Sequence, residues 1–405
     1  MTTITVPWGA WYYERRLALP FPETWDAQAV SMRGQHALSR EALAAALEAP
    51  VGAARLRELA RGRRDAVIAL DDISRPTPGA LLLPLILREL EQGGLPPERV
   101  RVVIASGGHR PAVLMDLEYK LGPDLARALD VHVHNPYEGL AALGQTSTGI
   151  PVYINRVFAE GDLKIALGGI TPHESVGFGG GRKTVAVGLA GLETLSAFHR
   201  RDKDVQTGHM HGNPQHDNLV EIARCAGLEY VINVLFTPER GIAALVAGDP
   251  VAAHEAGVAQ ARDLYATPMP AGADVVVLNA YPKDTDLLQS CMVVNVTLIP
   301  NPQIVKPDGT VVITTACSEG VGLHFIAGHN MRMPAVWPQS AFGDRQVFIV
   351  SPNLSHYEVR RHFPYNTTLY ATWDEALQAL VARHGAQARA VVYPNACLHL
   401  PEASG

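Results

Sequence analysis

Short, unbroken apolar runs, each stopped by a polar or glycine-rich turn and followed by a helix-like stretch, constrain this chain more than any other feature. Residues 65–70, 100–105, 131–134 and 163–167 are such runs, and residues 80–91 between the first two read as a helix ended by Gly93-Gly94. Strands buried on both faces need continuous apolar runs rather than alternation, and their interleaving with helices is the βαβ pattern of a parallel sheet. Residues 266–273 are rich in Pro and small side chains and carry no period, which marks a boundary. Beyond it the pattern restarts with strands at 274–278, 310–315, 346–350 and 390–393 and an amphipathic helix at 373–383. The expected fold class is α/β: two α/β domains with largely parallel sheets, 1–268 and a smaller 269–405, with an interdomain active-site cleft. A chain of 405 residues has room for two such cores.

Composition excludes several function classes. The formal net charge is −6, which is wrong for a face that neutralises phosphates along a nucleic acid. No apolar run reaches the roughly 18–20 residues of a bilayer span, and the first sixteen residues lack the basic-then-apolar order of a secretory signal. The expectation is therefore no nucleic acid, no membrane and a cytoplasmic protein. Four cysteines without a CxxC pair, Cys225, Cys291, Cys317 and Cys397, read as free thiols buried in a reducing compartment. Only six of the 34 basic residues are Lys, so a Lys in an unusual setting stands out; the bland account is a preference for Arg.

In open α/β sheets ligands sit beyond the carboxyl ends of the strands, so the turns after the apolar runs are the places to search. The first such turn is Asp71-Asp72-Ile73-Ser74-Arg75-Pro76-Thr77-Pro78, with two carboxylates, two hydroxyls and a guanidinium ahead of a helix. It suits an anion and equally suits a capping turn. The second is Ser106-Gly107-Gly108-His109-Arg110, where His109 could exchange protons or simply cap. The third runs from Gly168 through His173 to Gly179-Gly180-Gly181-Arg182-Lys183-Thr184. It fails the phosphate-loop pattern, because Arg182 rather than Gly precedes Lys183, and it lacks the dinucleotide-binding glycine spacing. A triple glycine ahead of a rare lysine still offers pliant backbone for a phosphate or ring and an amine able to form a covalent bond, or else a mobile loop with a solvated Lys. The fourth cluster is His199-Arg200-Arg201-Asp202, followed by His209, His211 and His216. The last three could ligate zinc, although no carboxylate or cysteine completes a shell, and a polar loop is the simpler reading. His132 and His134 read as structural.

Taken together and in this order, Asp71-Asp72-x-Ser74-Arg75-Pro76-Thr77, Gly108-His109-Arg110, His173, Gly179-Gly180-Gly181-x-Lys183 and His199 resemble the nickel-dependent lactate racemase family, the nickel-pincer nucleotide 2-hydroxyacid racemases and epimerases. The resemblance implies an isomerase that inverts C2 of a small-molecule 2-hydroxy acid through a 2-keto acid. It implies hydride transfer to and from nickel pyridinium-3,5-bisthiocarboxylic acid mononucleotide, supplied by cofactor biosynthesis enzymes as partners. By the same resemblance Lys183 carries the cofactor, with Asp72, Ser74, Gly179, Gly180 and Gly181 around it, and His199 binds the nickel. His109 and His173 are the acid/base pair, and Arg75 and Gln289 contact substrate. These roles make 1–268 the cofactor- and substrate-binding domain. A sulfur-rich pincer completed by one imidazole suits nickel, and two bases on opposite sides serve both enantiomers.

Two positions depart from the family pattern. Met292 stands where the family has a Lys that helps hold small substrates, so a substrate other than lactate is expected, either a bulkier apolar or a polyhydroxylated acid. Val187-Gly188 replaces Pro-Gly after the loop lysine, a change of local packing. The competing readings are a non-catalytic binding protein for a small molecule or nucleotide cofactor, and a zinc hydrolase on His209, His211 and His216.

Overall fold

A computed structural model describes residues 1–12, 15–199, 206–327 and 337–402. Two compact units emerge, each built on its own six-stranded sheet. One comprises Gln35–Arg262 with His324–Ile326; the other comprises Met1–Gly34, Asp263–Leu323 and Ala327–Gly405.

The sheet of the first unit runs, edge to edge, Ile242–Gly248, Tyr230–Phe236, Leu163–Gly169, Ala66–Asp71, Val100–Ala105 and Asp130–Val133. Every pairing is parallel except the one between Ile242–Gly248 and Tyr230–Phe236. Ala66–Asp71 is buried along its whole length, as its unbroken Val-Ile-Ala-Leu run requires. The chain leaves this central strand outward through Val100–Ala105 and Asp130–Val133, then returns to lay Leu163–Gly169 on its other side. The reversal of direction falls between Ala66–Asp71 and Leu163–Gly169. Connections to either side diverge at such a switch point and open a crevice at the carboxyl ends of the strands. The first and third polar turns of the sequence begin there.

The six-stranded sheet of the second unit is parallel throughout, in the order Thr367–Tyr370, Gln346–Val350, Val305–Thr314, Ala273–Asn279, Arg389–Tyr393 and Asp26–Ala29. Its helix Trp373–His384 starts on a capping box, Thr372 with Glu375, and stops at Gly385 with φ +75°. Residues 1–34 belong to this unit, whereas the sequence places them in the first. The cause is the Asp26–Ala29 strand, which pairs with Arg389–Tyr393, a partner that no local pattern reveals. Cys291, Cys317 and Cys397 are buried, but Cys225 is exposed, contrary to expectation, because it ends the half-exposed helix Pro214–Cys225. Among the described residues no helix is long and apolar enough to cross a membrane.

Candidate active site

The turn after Ala66–Asp71 is folded around a lysine. Lys120, 1% exposed on the helix Leu114–Leu121, donates from Nζ to Asp71 Oδ1 at 2.7 Å, to the Asp72 carbonyl at 2.9 Å and to the Arg75 carbonyl at 2.8 Å. Burial lowers the Lys120 pKa, against the pull of Asp71. Three bonds from one ammonium fix the turn that carries Asp72, Ser74 and Arg75. Asp71 Oδ2 in turn accepts from Thr77 Oγ1 at 2.6 Å.

Asp72 faces the second turn. Its Oδ2 lies 2.7 Å from His109 Nδ1, while its Oδ1 accepts from the Ser74 backbone N–H at 3.1 Å. Burial opposes the charge on Asp72, but His109, Arg75 and Ser74 outweigh it and hold the carboxyl well below the usual carboxylate range. Burial pushes His109 down, and the Arg75 and Lys183 cations push the same way against the pull of Asp72. In the neutral ring, with Nδ1–H given to Asp72, the lone pair sits on Nε2, the form of a general base.

The glycines ahead of His109 are dictated by close approach. Gly107 has φ +54°, a Cβ there would lie 2.9 Å from the Val187 carbonyl, and its N–H donates to Gly188 at 2.8 Å. The second turn is thus docked on the chain that follows Lys183.

His173 lies on a two-residue strand, Pro172–His173, paired antiparallel with Gly177–Phe178. Its Nδ1 accepts from the Ser175 backbone N–H at 3.2 Å, which assigns the proton of the neutral ring to Nε2. His109 and His173 are therefore held as opposite tautomers, one presenting a lone pair at Nε2 and the other an N–H. Glu174 Oε2 stands 3.7 Å from His173 Nδ1.

The Gly179-Gly180-Gly181 run is pinned. His254 Nε2 donates to the Gly179 carbonyl at 2.7 Å, and Asn233 Oδ1 accepts from the Gly181 N–H at 2.9 Å. Arg182 donates from Nη2 to His254 Nδ1 at 2.6 Å. Gly180 has φ +128°, and a Cβ there would lie 2.8 Å from His254 Cδ2. This scaffold opens the helix Gly181–Ala186, on which Lys183 sits. His199 closes the helix Leu192–Phe198 and gives Nδ1–H to the Leu195 carbonyl at 2.7 Å, which puts the lone pair of the neutral ring on Nε2. Arg200, Arg201 and Asp202 lie outside the described residues.

Sequence reasoning missed several groups. Lys120 looks like an ordinary helix lysine, and its only signal is the scarcity of Lys. Asn233 and His254 come from a strand and a helix far along the chain. His324 arrives with the segment His324–Ile326 and packs edge-on against His109, with ring centroids 5.1 Å apart, and against His199 at 6.5 Å. Gln289 and Met292 belong to the other unit. Gln289 lies on the short helix Leu287–Ser290, and Met292 packs against that unit's apolar core.

The zinc reading is overturned. His209 and His211 are exposed, and His216 turns Nδ1 toward the Val176 carbonyl at 3.3 Å. Among the described residues no group of three His, Cys, Asp or Glu side chains could hold a metal ion. His134, by contrast, is a buried structural residue, bonded through Nε2 to the Ala190 carbonyl at 3.0 Å.

Comparison with known proteins gives consistent findings. Residues 12–209 match the family model of the lactate racemase N-terminal domain. The lactate racemase of Lactiplantibacillus plantarum is 29% identical over 394 residues, covering 88% of this chain and 89% of that protein. The lactate racemase of Thermoanaerobacterium thermosaccharolyticum is 30% identical over 335 residues, covering 80% and 76%. Among solved structures, the lactate racemase apoprotein from T. thermosaccharolyticum superposes with a TM-score of 0.78 at 24% identity, over 98% of this chain and 99% of that one. A protein from Thermotoga maritima superposes with a TM-score of 0.66 at 16% identity, over 91% and 99%.

Proposed function

The chain belongs to the lactate racemase family, and from that premise we propose that it racemises or epimerises C2 of a 2-hydroxy acid through a 2-keto acid, with the nickel-pincer nucleotide bound covalently at Lys183. The observation that carries this reading is the contact of His109 with Asp72: Nδ1 lies 2.7 Å from Asp72 Oδ2, which assigns the base role of the neutral ring to Nε2.

The residues present fit the cofactor. A Cβ at Gly180 would collide with His254, so the turn before Lys183 is bare backbone. His199 is oriented through Nδ1 on the Leu195 carbonyl in the tautomer with its lone pair on Nε2, and a sulfur-rich pincer completed by one imidazole suits nickel. Lys183 would hold the group covalently and His199 would hold the metal. When bound, the group would supply the hydride acceptor and donor for C2.

The remaining work falls to the chain itself. Arg75, whose Nη1 donates to Ser74 Oγ at 2.9 Å, would hold the substrate carboxylate by a charge-assisted hydrogen bond. His109 Nε2 accepts the C2 hydroxyl proton as the C–H bond breaks, leaving the 2-keto acid. His173, with its proton on Nε2, polarises the substrate oxygen. Delivery of a full proton to that oxygen uses the cationic form of His173, which requires Nδ1 to turn from the Ser175 N–H toward Glu174 Oε2, 3.7 Å away. One turnover then leaves His109 protonated on Nε2 and His173 neutral with its proton on Nδ1 and its lone pair on Nε2, the state from which the other enantiomer starts. Gln289 contacts substrate, and Met292 in place of a cation favours acids other than lactate.

The test is intact mass and nickel analysis of protein co-expressed with the cofactor-biosynthesis enzymes, followed by incubation with a panel of chiral 2-hydroxy acids in deuterated water. The expected result is a mass adduct at Lys183, one nickel per chain, and inversion without solvent deuterium at C2. A chain without adduct or nickel refutes the proposal. Fast turnover of lactate refutes the assignment of Met292.

A further inference from the structure

We propose that His324 is a substrate-binding residue of this site, donating a hydrogen bond from Nε2 to an oxygen of the bound hydroxy acid. The inference rests on the reading of the site as a 2-hydroxy acid site.

The chain goes to some length to deliver this side chain. His324–Ile326 clusters with Gln35–Arg262, although the residues before and after it belong to the other unit. The segment is fastened on both sides of the imidazole. His324 forms an antiparallel bridge with His109, and the Phe325 N–H donates to the Gly108 carbonyl at 2.7 Å. Phe325 packs edge-on against Tyr137 with ring centroids 5.2 Å apart, and Ile326 is fully buried. A loop that needed only to cross this surface would not require three anchors in three residues.

The ring is directed at the groups that the mechanism uses. It meets His109 at 5.1 Å and 73°, lies 6.5 Å from His199, and stands within the electrostatic reach of Lys183 and Arg75. Gly108 makes room for it: a Cβ at position 108 would lie 2.7 Å from His324 Cε1 and 3.0 Å from Nδ1. The second glycine of Gly107-Gly108-His109 is thus explained by His324, just as the first is explained by Val187.

The hydrogen bonding sets the polarity of the ring. Nδ1 accepts from the Ile326 backbone N–H at 3.4 Å, so the proton of the neutral imidazole is on Nε2 and that edge is a donor. A 2-hydroxy acid brings three oxygens into the site. Arg75 can take two through the carboxylate and His109 one through the hydroxyl. A further neutral donor shortens the search for one orientation, and it acts in a chain where Met292 has removed the family's cation.

The experiment uses holoenzyme and two variants at this position. His324→Phe keeps an aromatic ring against His109 and removes the N–H, while His324→Gln keeps a donor. Nickel content and the Lys183 adduct are measured first. KM and kcat follow on the best acid of the panel. Kd is measured for 2-hydroxyisobutyrate, which has no C2–H and cannot turn over. His324→Phe is expected to load like the wild type and to raise KM and Kd about tenfold, with a smaller change in kcat, which is about 1.4 kcal/mol of lost binding. His324→Gln should recover most of it. Gly108→Ala, which displaces the ring without altering it, should raise Kd in the same way and serves if His324→Phe does not fold. A loaded His324→Phe with unchanged KM and Kd overturns the inference, as does one that folds but fails to load. If the wild type neither carries the adduct nor turns over any acid, the parent function fails and this inference falls with it. An active wild type with an indifferent His324→Phe removes this inference alone.

Discussion

Asp72→Asn isolates the central element of the site with the smallest change of shape. Asp72 Oδ1 receives the Ser74 backbone N–H at 3.1 Å, and that position must remain an acceptor. The amide oxygen of the variant is therefore pinned toward Ser74, and its NH₂ group is turned toward His109 Nδ1, where Oδ2 now stands at 2.7 Å. A donor facing Nδ1 drives the imidazole proton to Nε2, so the group that should receive the hydroxyl proton already carries one. General-base catalysis of this kind contributes roughly 10²–10⁴ in rate, so kcat should fall by at least a hundredfold, about 2.7 kcal/mol or more of barrier. The loss belongs in kcat, because Arg75 and the carboxylate contact are untouched. The assay is chiral chromatography of each enantiomer's conversion by holoenzyme, normalised to nickel and to the Lys183 adduct. A fully loaded Asp72→Asn with kcat within threefold of the wild type would show that the tautomer of His109 does not matter, and the assignment of His109 as base would be wrong.

Other outcomes follow from the same geometry. Lys120→Met strands Asp71 and two carbonyls in the interior and should cost about 3–5 kcal/mol, read as a lower urea midpoint; a loss under about 1 kcal/mol refutes the role given to that lysine. Gly180→Ala meets a φ of +128° and His254 at 2.8 Å, so it should lose about 1–3 kcal/mol and lower the modified fraction of Lys183; full modification with unchanged melting speaks against a pinned turn. Burial holds His134 at about 4 and His399 at about 3, and burial with the Arg182 charge holds His254 at about 3. Each lies below its unfolded value near 6.5, so the unfolded chain takes up protons first and stability falls as pH drops below 6.5. Between pH 8 and pH 5 each residue should cost about 2 kcal/mol, and a denaturation midpoint that does not move over that range contradicts their burial as neutral rings.

The central strands were legible because a strand covered on both faces must be apolar throughout. Ala66–Asp71 and Val100–Ala105 follow this rule closely, and Tyr230–Phe236 carries the same signal although the reading passes it by. Asp26–Ala29 and Thr367–Tyr370 carry no such signal. They are edge strands, partly solvated and only four residues long, and composition does not separate them from loop. The site divides along a similar line. Asp72 and His109 stand out because they lie in the turns just beyond strand ends. Their tautomeric relation depends on which atom meets which, and that is a property of the folded turn alone. Lys120 was hidden by its helix, where a lysine ordinarily points to water. His324 was hidden by sequence distance, since nothing local to residues 320–326 points back to Gly108.

The parallel pairing of Asp26–Ala29 with Arg389–Tyr393 has a consequence for biosynthesis. The early strand leaves the ribosome 363 positions ahead of the partner it needs. At translation rates of about 5–20 residues per second it waits roughly 20–70 s with unmet backbone donors and acceptors. Gln35–Arg262 holds five of its six strands in contiguous parallel register and can close during that interval. Until Arg389–Tyr393 is made, Asp26–Ala29 lacks the strand it pairs with in the folded unit, and its backbone groups must meet water or another partner instead.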